Sequence, residues 1–172
     1  MDGSPDLKMA IRARDGQFSA MDAATARTIL ERFPYGLYIV TVTHDGDEHG
    51  MTANWITQAS FEPPMLAVAI ENTSGTISLI RDAHHFAVSL LTTEQRDLAA
   101  KLGRTLKGVK TKPAPAAQTP VLTEAVGWVE CRAVATLPAG DHTLVLGEIL
   151  EAGVENGDAE PLTLRAAGLR YG

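Results

Sequence analysis

Short apolar and β-branched runs, each ended by a turn signal, set the main constraint on this chain. Gly36–Thr43 reads GLYIVTVT, Met65–Glu71 reads MLAVAIE and Phe86–Leu91 reads FAVSLL. Each has the length and residue types of a strand, not of a helix. HDGDEHG supplies a hairpin turn at Asp45-Gly46 and leads to a second strand at about His49 to Asn54. Two longer strands, Val126–Leu137 and Thr143–Val154, flank PAGDH, and a last short one is expected near Pro161–Leu164. Helices are few and short. One runs from Asp22 to Arg32, capped by Asp22, with Ala26, Ile29, Leu30 and Phe33 at helical spacing and Pro34 as its stop. A second is capped by Thr73 or Ser74 and turns Ile77, Leu79 and Ile80 inward. A third opens at the capping-box spacing of Thr92 and Gln95 and runs to about Leu102. About six or seven strands with three short helices predict a mostly β fold, a closed or partly closed antiparallel barrel of Greek-key type. Residues 1–20 read as a flexible polar arm and 21–172 as one domain without internal repeat or linker. The proline-containing basic stretch Gly103–Thr119 has no period and reads as a surface loop.

The net charge of −6 and the lack of a long basic run argue against nucleic-acid and membrane-surface partners. Cys131 is the single cysteine, so the chain holds no internal disulfide and no cysteine-built metal site. Alternation in WVECRAVA places it with Val129 and Ala133 as a small core residue. No run reaches the roughly 18 apolar residues of a membrane span, and the N-terminus lacks the apolar stretch of a signal peptide. A cytoplasmic location is the expectation.

Three segments carry residue types suited to a ligand with a phosphate and a flat ring. Met51-Thr52-Ala53-Asn54-Trp55 combines small residues, which admit a ligand to the backbone, with side-chain donors and acceptors. The same types also fit a strand end with Trp55 as a core anchor. Glu71-Asn72-Thr73-Ser74-Gly75-Thr76 follows a strand and opens a helix, where free N–H groups and hydroxyls favour an anion. Plain helix capping uses the same residues. Gly140-Asp141-His142-Thr143 puts a titratable ring at a strand start, in ligand contact or simply solvated. His84-His85 alternate in direction and share no metal site, and His44 and His49 flank a solvated turn, so no metal is expected. Neither GxGxxG, P-loop nor GxSxG occurs, which argues against Rossmann, kinase-type and hydrolase sites.

Together these segments resemble the flavin reductase family, whose members bind FMN on a split β-barrel. The resemblance rests on Phe33-Pro34-Tyr35-Gly36, on GMTAxxxxxxSxxPP with Ser60 and Pro63-Pro64 closing it, on the Ser/Thr turn and on GDHT. It covers about Arg27 to Val154. GLYIVT and TANWxTQxSFEPP look closest to the flavoredoxin-like branch. It implies an NAD(P)H:flavin oxidoreductase that passes hydride from nicotinamide to flavin N5, and then electrons to free flavin, a monooxygenase or another acceptor. Within it, an electron carrier without a nicotinamide site, or a non-catalytic FMN- or haem-binding module, is the alternative. FMN is the implied cofactor, FAD a second possibility, with NADH or NADPH as donor and a homodimer as the assembly. Carried over by motif, Met51, Thr52, Ala53, Asn54, Trp55, Ser60, Asn72, Ser74 and Thr76 are cofactor contacts. His142 is the catalytic-site residue, facing flavin and nicotinamide. The turn has no basic residue, so Lys101 or Arg104 is the substitute counter-charge. The family's Asp-Lys-Phe-type segment is replaced here by TLKGVKTK.

Overall fold

The computed structural model describes residues 22–102 and 105–169; the arm expected over 1–20, and Arg104, lie outside them. The chain divides into two units after Phe33. The first carries helix α1 (Ala23–Leu30), capped as expected: Asp22 accepts the Ala24 N–H at 3.0 Å. Its apolar stripe departs from expectation. Ile29, Leu30 and Phe33 are 54%, 39% and 52% exposed, and α1 buries none of its residues.

The second unit holds the remaining described elements. In chain order these are β1 (Tyr38–His44), β2 (Asp47–Ala53), β3 (Ile56–Phe61), β4 (Pro64–Glu71), α2 (Thr76–Ala83), β5 (His85–Leu90), a 3-10 turn (Thr93–Gln95), α3 (Arg96–Lys101), β6 (Thr111–Pro113), β7 (Pro120–Leu122), β8 (Gly127–Ala139), β9 (His142–Val154) and α4 (Leu164–Ala167). Seven strands form one antiparallel sheet in the order β2-β1-β5-β8-β9-β4-β3, and β6 pairs with β7 apart from it. β2 and β3, adjacent in sequence, stand at opposite ends of the sheet. The split-barrel expectation is met.

The core follows from alternation. On β4, Leu66, Val68 and Ile70 are buried while Met65, Ala67 and Ala69 are half-buried on the other face. The inward residues join Val40, Val42, Phe86, Val88, Cys131 and Val145, with Ile77 and Ile80 of α2. α2 therefore has the inner face that its spacing predicts. Cys131 is fully buried, as read from the sequence, and burial followed by the neighbouring Glu130 pushes its thiol up to about 12. A second cluster, around Leu37, Ile39, Leu91 and Leu122, packs Ala99 of α3 and Leu164 of α4.

Four elements were not expected: β3, β6, β7 and α4. β3 lies in the segment ITQASF, whose Thr57 and Gln58 are exposed, so its apolar signal is weak. It is a terminal strand held only by β4, and its register slips between Gln58 and Ser60, leaving Ala59 as an extra residue. The stretch read as a surface loop is instead tied down. It contains β6 and buries Leu106, Ala114 and Thr119. Thr41, Ala87 and Glu130 are directly opposed across β1, β5 and β8, and all three are fully buried. The Thr41 hydroxyl donates to the Pro120 carbonyl, and Ser89 Oγ accepts the Leu122 N–H at 3.1 Å. Glu130 accepts the amides of Ala116, Ala117 and Thr119 at 2.8, 3.0 and 3.1 Å. Finally, the expected strand near Pro161–Leu164 is reduced to isolated bridges, Thr92 with Pro161 and Gly36 with Thr163, before α4. The third expected helix is broken into the 3-10 turn and α3, with the Thr92/Gln95 capping box formed.

Candidate functional site

The β4–β9 ladder runs from Met65 opposite Glu148 to Glu71 opposite His142. It therefore delivers two of the three motif segments to one end of the sheet. β4 continues into Asn72–Gly75 and α2, and β9 begins at the turn Gly140-Asp141. That turn has two residues, between the paired Ala139 and His142, with Gly140 at φ +70 and Asp141 outside the left-handed region. A glycine at this first position is what a II′-type hairpin turn requires.

The third segment meets them through Trp55. Its carbonyl accepts the Ala69 N–H at 2.9 Å. Its ring centroid lies 4.5 Å from that of His142, with the planes 38° apart. Trp55 is half-buried and belongs to none of the core clusters, so it is not a core anchor. His142 is not a solvated loop residue either: its side chain is only 20% exposed. Its Nδ1 lies 2.7 Å from Asp141 Oδ1. This contact, with the His142 charge behind it, holds the Asp141 carboxyl below the usual range. An ionised Asp141 favours a proton on Nδ1, and Nε2 has no hydrogen-bond partner among the described residues.

Asn72 links the two turns. Its N–H donates to the Asp141 carbonyl at 3.0 Å, and its Nδ2 donates to the Gly140 carbonyl at 3.3 Å. Its Oδ1 accepts the Thr143 hydroxyl at 2.7 Å. Beyond it, Ser74 Oγ accepts the Thr76 N–H at 3.2 Å, while Gly75, at φ +74, has nothing within 4 Å of where a Cβ would lie. The Ser78 N–H donates to the Gly75 carbonyl at 3.2 Å, so of the first-turn amides that of Ile77 is the one left for a ligand. Hydroxyls, the Ile77 amide and open space fit a phosphate, and the Trp55–His142 pair fits a flat ring. Between Glu71 and Thr76 the only charge is that of Glu71. Anion binding at this turn thus rests on neutral donors.

Other expected contacts are arranged differently. Ala53 is buried and Met51 packs on the first core cluster, so each offers a ligand its backbone and not its side chain. The Thr52 hydroxyl donates to Ala99 O at 3.0 Å, tying β2 to α3. Asn54 is half-buried in the link between β2 and β3. Ser60 is opposite Met65, six residues along β4 from Glu71, or about 20 Å at strand rise. Lys101 ends α3 and pairs with Asp97 at 3.0 Å. α3 belongs to the second cluster and α2 to the first. Sequence reasoning gave no role to Asp141 or Thr143. Both lie inside the GDHT motif, but their partners, His142 apart, are some 70 positions away in sequence and left no local signal.

A cavity of about 720 Å³ opens elsewhere, lined by Tyr38, Ile56, Leu66, Val88, Trp128 and Ile149 among others. None of the expected site residues lines it. Its few polar groups, from Tyr38, Thr57 and Gln58, include no cation and no helix start, so it is not a phosphate site. No group of three or more His, Cys, Asp or Glu able to hold a metal occurs among the described residues. No helix among them is long and apolar enough to cross a membrane.

The model of the flavin reductase like domain matches residues 30–171. The reductase component of 4-nitrophenol 4-monooxygenase/4-nitrocatechol 2-monooxygenase from Rhodococcus opacus is 32% identical over 145 residues, covering 83% of this chain and 77% of that protein. The NADH-dependent flavin reductase StyB of Pseudomonas fluorescens is 30% identical over 152 residues, covering 86% and 88%. Among solved structures, the NADH:FAD oxidoreductase SgcE6 of Streptomyces globisporus C-1027, in complex with NAD and FAD fragments, has a TM-score of 0.73 at 27% identity. That match covers 81% of this chain and 86% of the other.

Proposed function

The chain belongs to the flavin reductase like domain family, and on that premise we infer how its residues serve an NAD(P)H:flavin oxidoreductase. The single observation that carries the reading is the convergence of Trp55, His142 and the Asn72–Thr76 turn at one end of the β4–β9 ladder. Flavin, when bound, would supply the acceptor for a hydride from nicotinamide. The protein binds and orients. The Ser74 and Thr76 hydroxyls and the Ile77 amide at the start of α2 would hold the phosphate. The backbone of Met51–Asn54 borders the ring. Trp55 and His142 form the wall against which flavin and nicotinamide are set. Hydride transfer needs no general acid to begin, so the role of His142 is positioning of the nicotinamide. Its Nε2 is the atom from which a proton can be exchanged with the reduced ring.

Related reductases are named as components of monooxygenase systems, which supports delivery of reduced flavin to a partner oxygenase. A homodimer fits the outer face of the ladder. Ala67 opposes Leu146, Ala69 opposes Leu144, and Leu137 opposes Leu144, making an apolar strip beside Trp55 and His142. A second copy on this strip would add a wall to the ring site and exclude water from it. FMN-loaded protein of monomeric mass in light scattering at micromolar concentration would rule that out. The activity is tested by anaerobic mixing of flavin-loaded protein with NADH or NADPH. Rapid loss of the flavin band near about 450 nm is expected. A flavin that stays oxidised with both donors would reduce the protein to an electron carrier or a binding module.

A further inference from the structure

We propose that Asn72 is a positioning residue, which braces the Gly140-Asp141 turn and thereby holds the His142 ring against Trp55. The inference rests on the reading that His142 meets the nicotinamide. It revises the expectation that Asn72 contacts the flavin.

The two ends of the Asn72 amide serve different purposes. Thr143, 7% exposed and following His142 on β9, donates its hydroxyl to Oδ1. That bond fixes which way the amide faces and turns Nδ2 toward Gly140 O. The Asn72 N–H adds a bond to the next carbonyl, that of Asp141. One residue of the β4 extension thus grips both residues of the hairpin turn and the strand that leaves it.

The turn needs such a grip. It lies at the end of the ladder, and the Asp141 side chain is 90% exposed. His142 is the first residue of β9, where strand pairing frays most easily. Its Nδ1 is held by Asp141, a member of the turn itself. Any sway of the turn is therefore passed to the ring. Without Asn72, His142 keeps its bond to Asp141, but the pair loses its anchor and the 4.5 Å contact with Trp55 with it. Because Asn72 is itself exposed, its loss opens no cavity, and the one buried group it leaves without its partner is the Thr143 hydroxyl, which Thr143→Val removes.

Five proteins test this: wild type, Asn72→Ala, Thr143→Val, His142→Ala and the double variant Asn72→Ala/His142→Ala. In the apoprotein, NMR of the histidine ring protons reports the contact directly, since the Trp55 ring current displaces the His142 signals. Those signals are identified by their absence in His142→Ala. In Asn72→Ala they should move toward the positions of exposed histidines, and in Thr143→Val part of the way, while the melting temperature changes by no more than about 3 °C. With flavin bound, Asn72→Ala should lower kcat/KM for the nicotinamide donor about tenfold, mainly through KM. FMN affinity should stay within about threefold of wild type, for want of a lost flavin contact. Added to His142→Ala, the Asn72 change should cost nothing further, because both remove one arrangement. Unmoved His142 signals in Asn72→Ala would overturn the proposal. So would a large loss of FMN affinity with additive rate effects, which would make Asn72 a direct flavin contact. If His142→Ala alone leaves reduction unchanged, it is the reading of His142 that fails, and the ring signals still decide whether Asn72 braces it.

Discussion

Replacing Glu130 by Gln changes one side-chain oxygen to NH2 and leaves the shape alone, yet it should cost a large share of this protein's stability. The carboxylate is fully buried beneath β6–β7. Oε1 accepts the amides of Ala117 and Thr119, and Oε2 that of Ala116. A hydrogen bond to a charged group contributes about 1.5–3 kcal/mol and a neutral one about 0.5–1.5 kcal/mol. With the Gln oxygen in the Oε1 place, two bonds survive in neutral form, each weaker by about 1 kcal/mol. The NH2 then faces the Ala116 N–H, donor against donor, and the third bond, about 2 kcal/mol, is lost. The lower desolvation cost of a neutral amide offsets part of this. We expect Glu130→Gln to destabilise by about 2–4 kcal/mol in denaturant unfolding with an unchanged slope. Glu130→Leu, which orphans all three amides, should cost more. Hydrogen exchange at Ala116, Ala117 and Thr119 should quicken in both. If Glu130→Gln costs less than about 0.5 kcal/mol, within the range of an ordinary surface change, with those amides still protected, the carboxylate does not hold this segment and the reasoning is wrong.

Changing Ser74 and Thr76 together to Ala should weaken FMN binding by roughly 2–5 kcal/mol while barely altering riboflavin binding; equal weakening in calorimetry would place the phosphate elsewhere. Cys131, buried and with its thiol pushed up to about 12, should resist alkylation at pH 8 until the protein is unfolded, and labelling at the rate of a free thiol would contradict its burial. The Glu155 carboxyl is held below the usual range, first by Lys112 and then by the Trp128 N–H. A depressed carboxyl contributes stability above its unfolded pKa and loses it as pH falls through the folded one. The difference between wild type and Glu155→Gln should therefore be present at neutral pH and vanish as pH drops below about 4; a difference independent of pH would mean the pair contributes through packing alone.

What was legible in the sequence was what alternation and punctuation encode. GLYIVTVT and MLAVAIE give strands because β-branched and apolar residues fill them, and Asp45-Gly46 gives the hairpin because both residues take positive φ. The site segments were legible as motifs, and the geometry joins three of them at Trp55, Asn72 and His142. Glu130 was not legible. Alternation puts it on the face opposite Cys131, which reads as solvent, and nothing nearby in sequence announces the hairpin that covers it. β3 escaped notice for a related reason: ITQASF pairs on one side only and has little apolar surface to hide. Asn72 read as a ligand contact because its partners, Gly140 and Thr143, come together with it only through the β4–β9 register.

The extra residue in β3 has a consequence for how this protein behaves at high concentration. β3 ends the sheet, so among the described residues one row of its backbone N–H and C=O groups has no neighbouring strand. Phe61, 88% exposed, stands at its end. A flat edge with an aromatic beside it is a template on which a foreign strand can grow. Ala59 spoils the template. It shifts the spacing of donors and acceptors between Gln58 and Ser60, so an incoming strand that registers with Ile56–Gln58 is out of step with Ser60–Phe61. Neither half is long enough to hold a partner by itself. The irregularity that hides β3 from sequence reading also guards the molecule against fibril-like self-association.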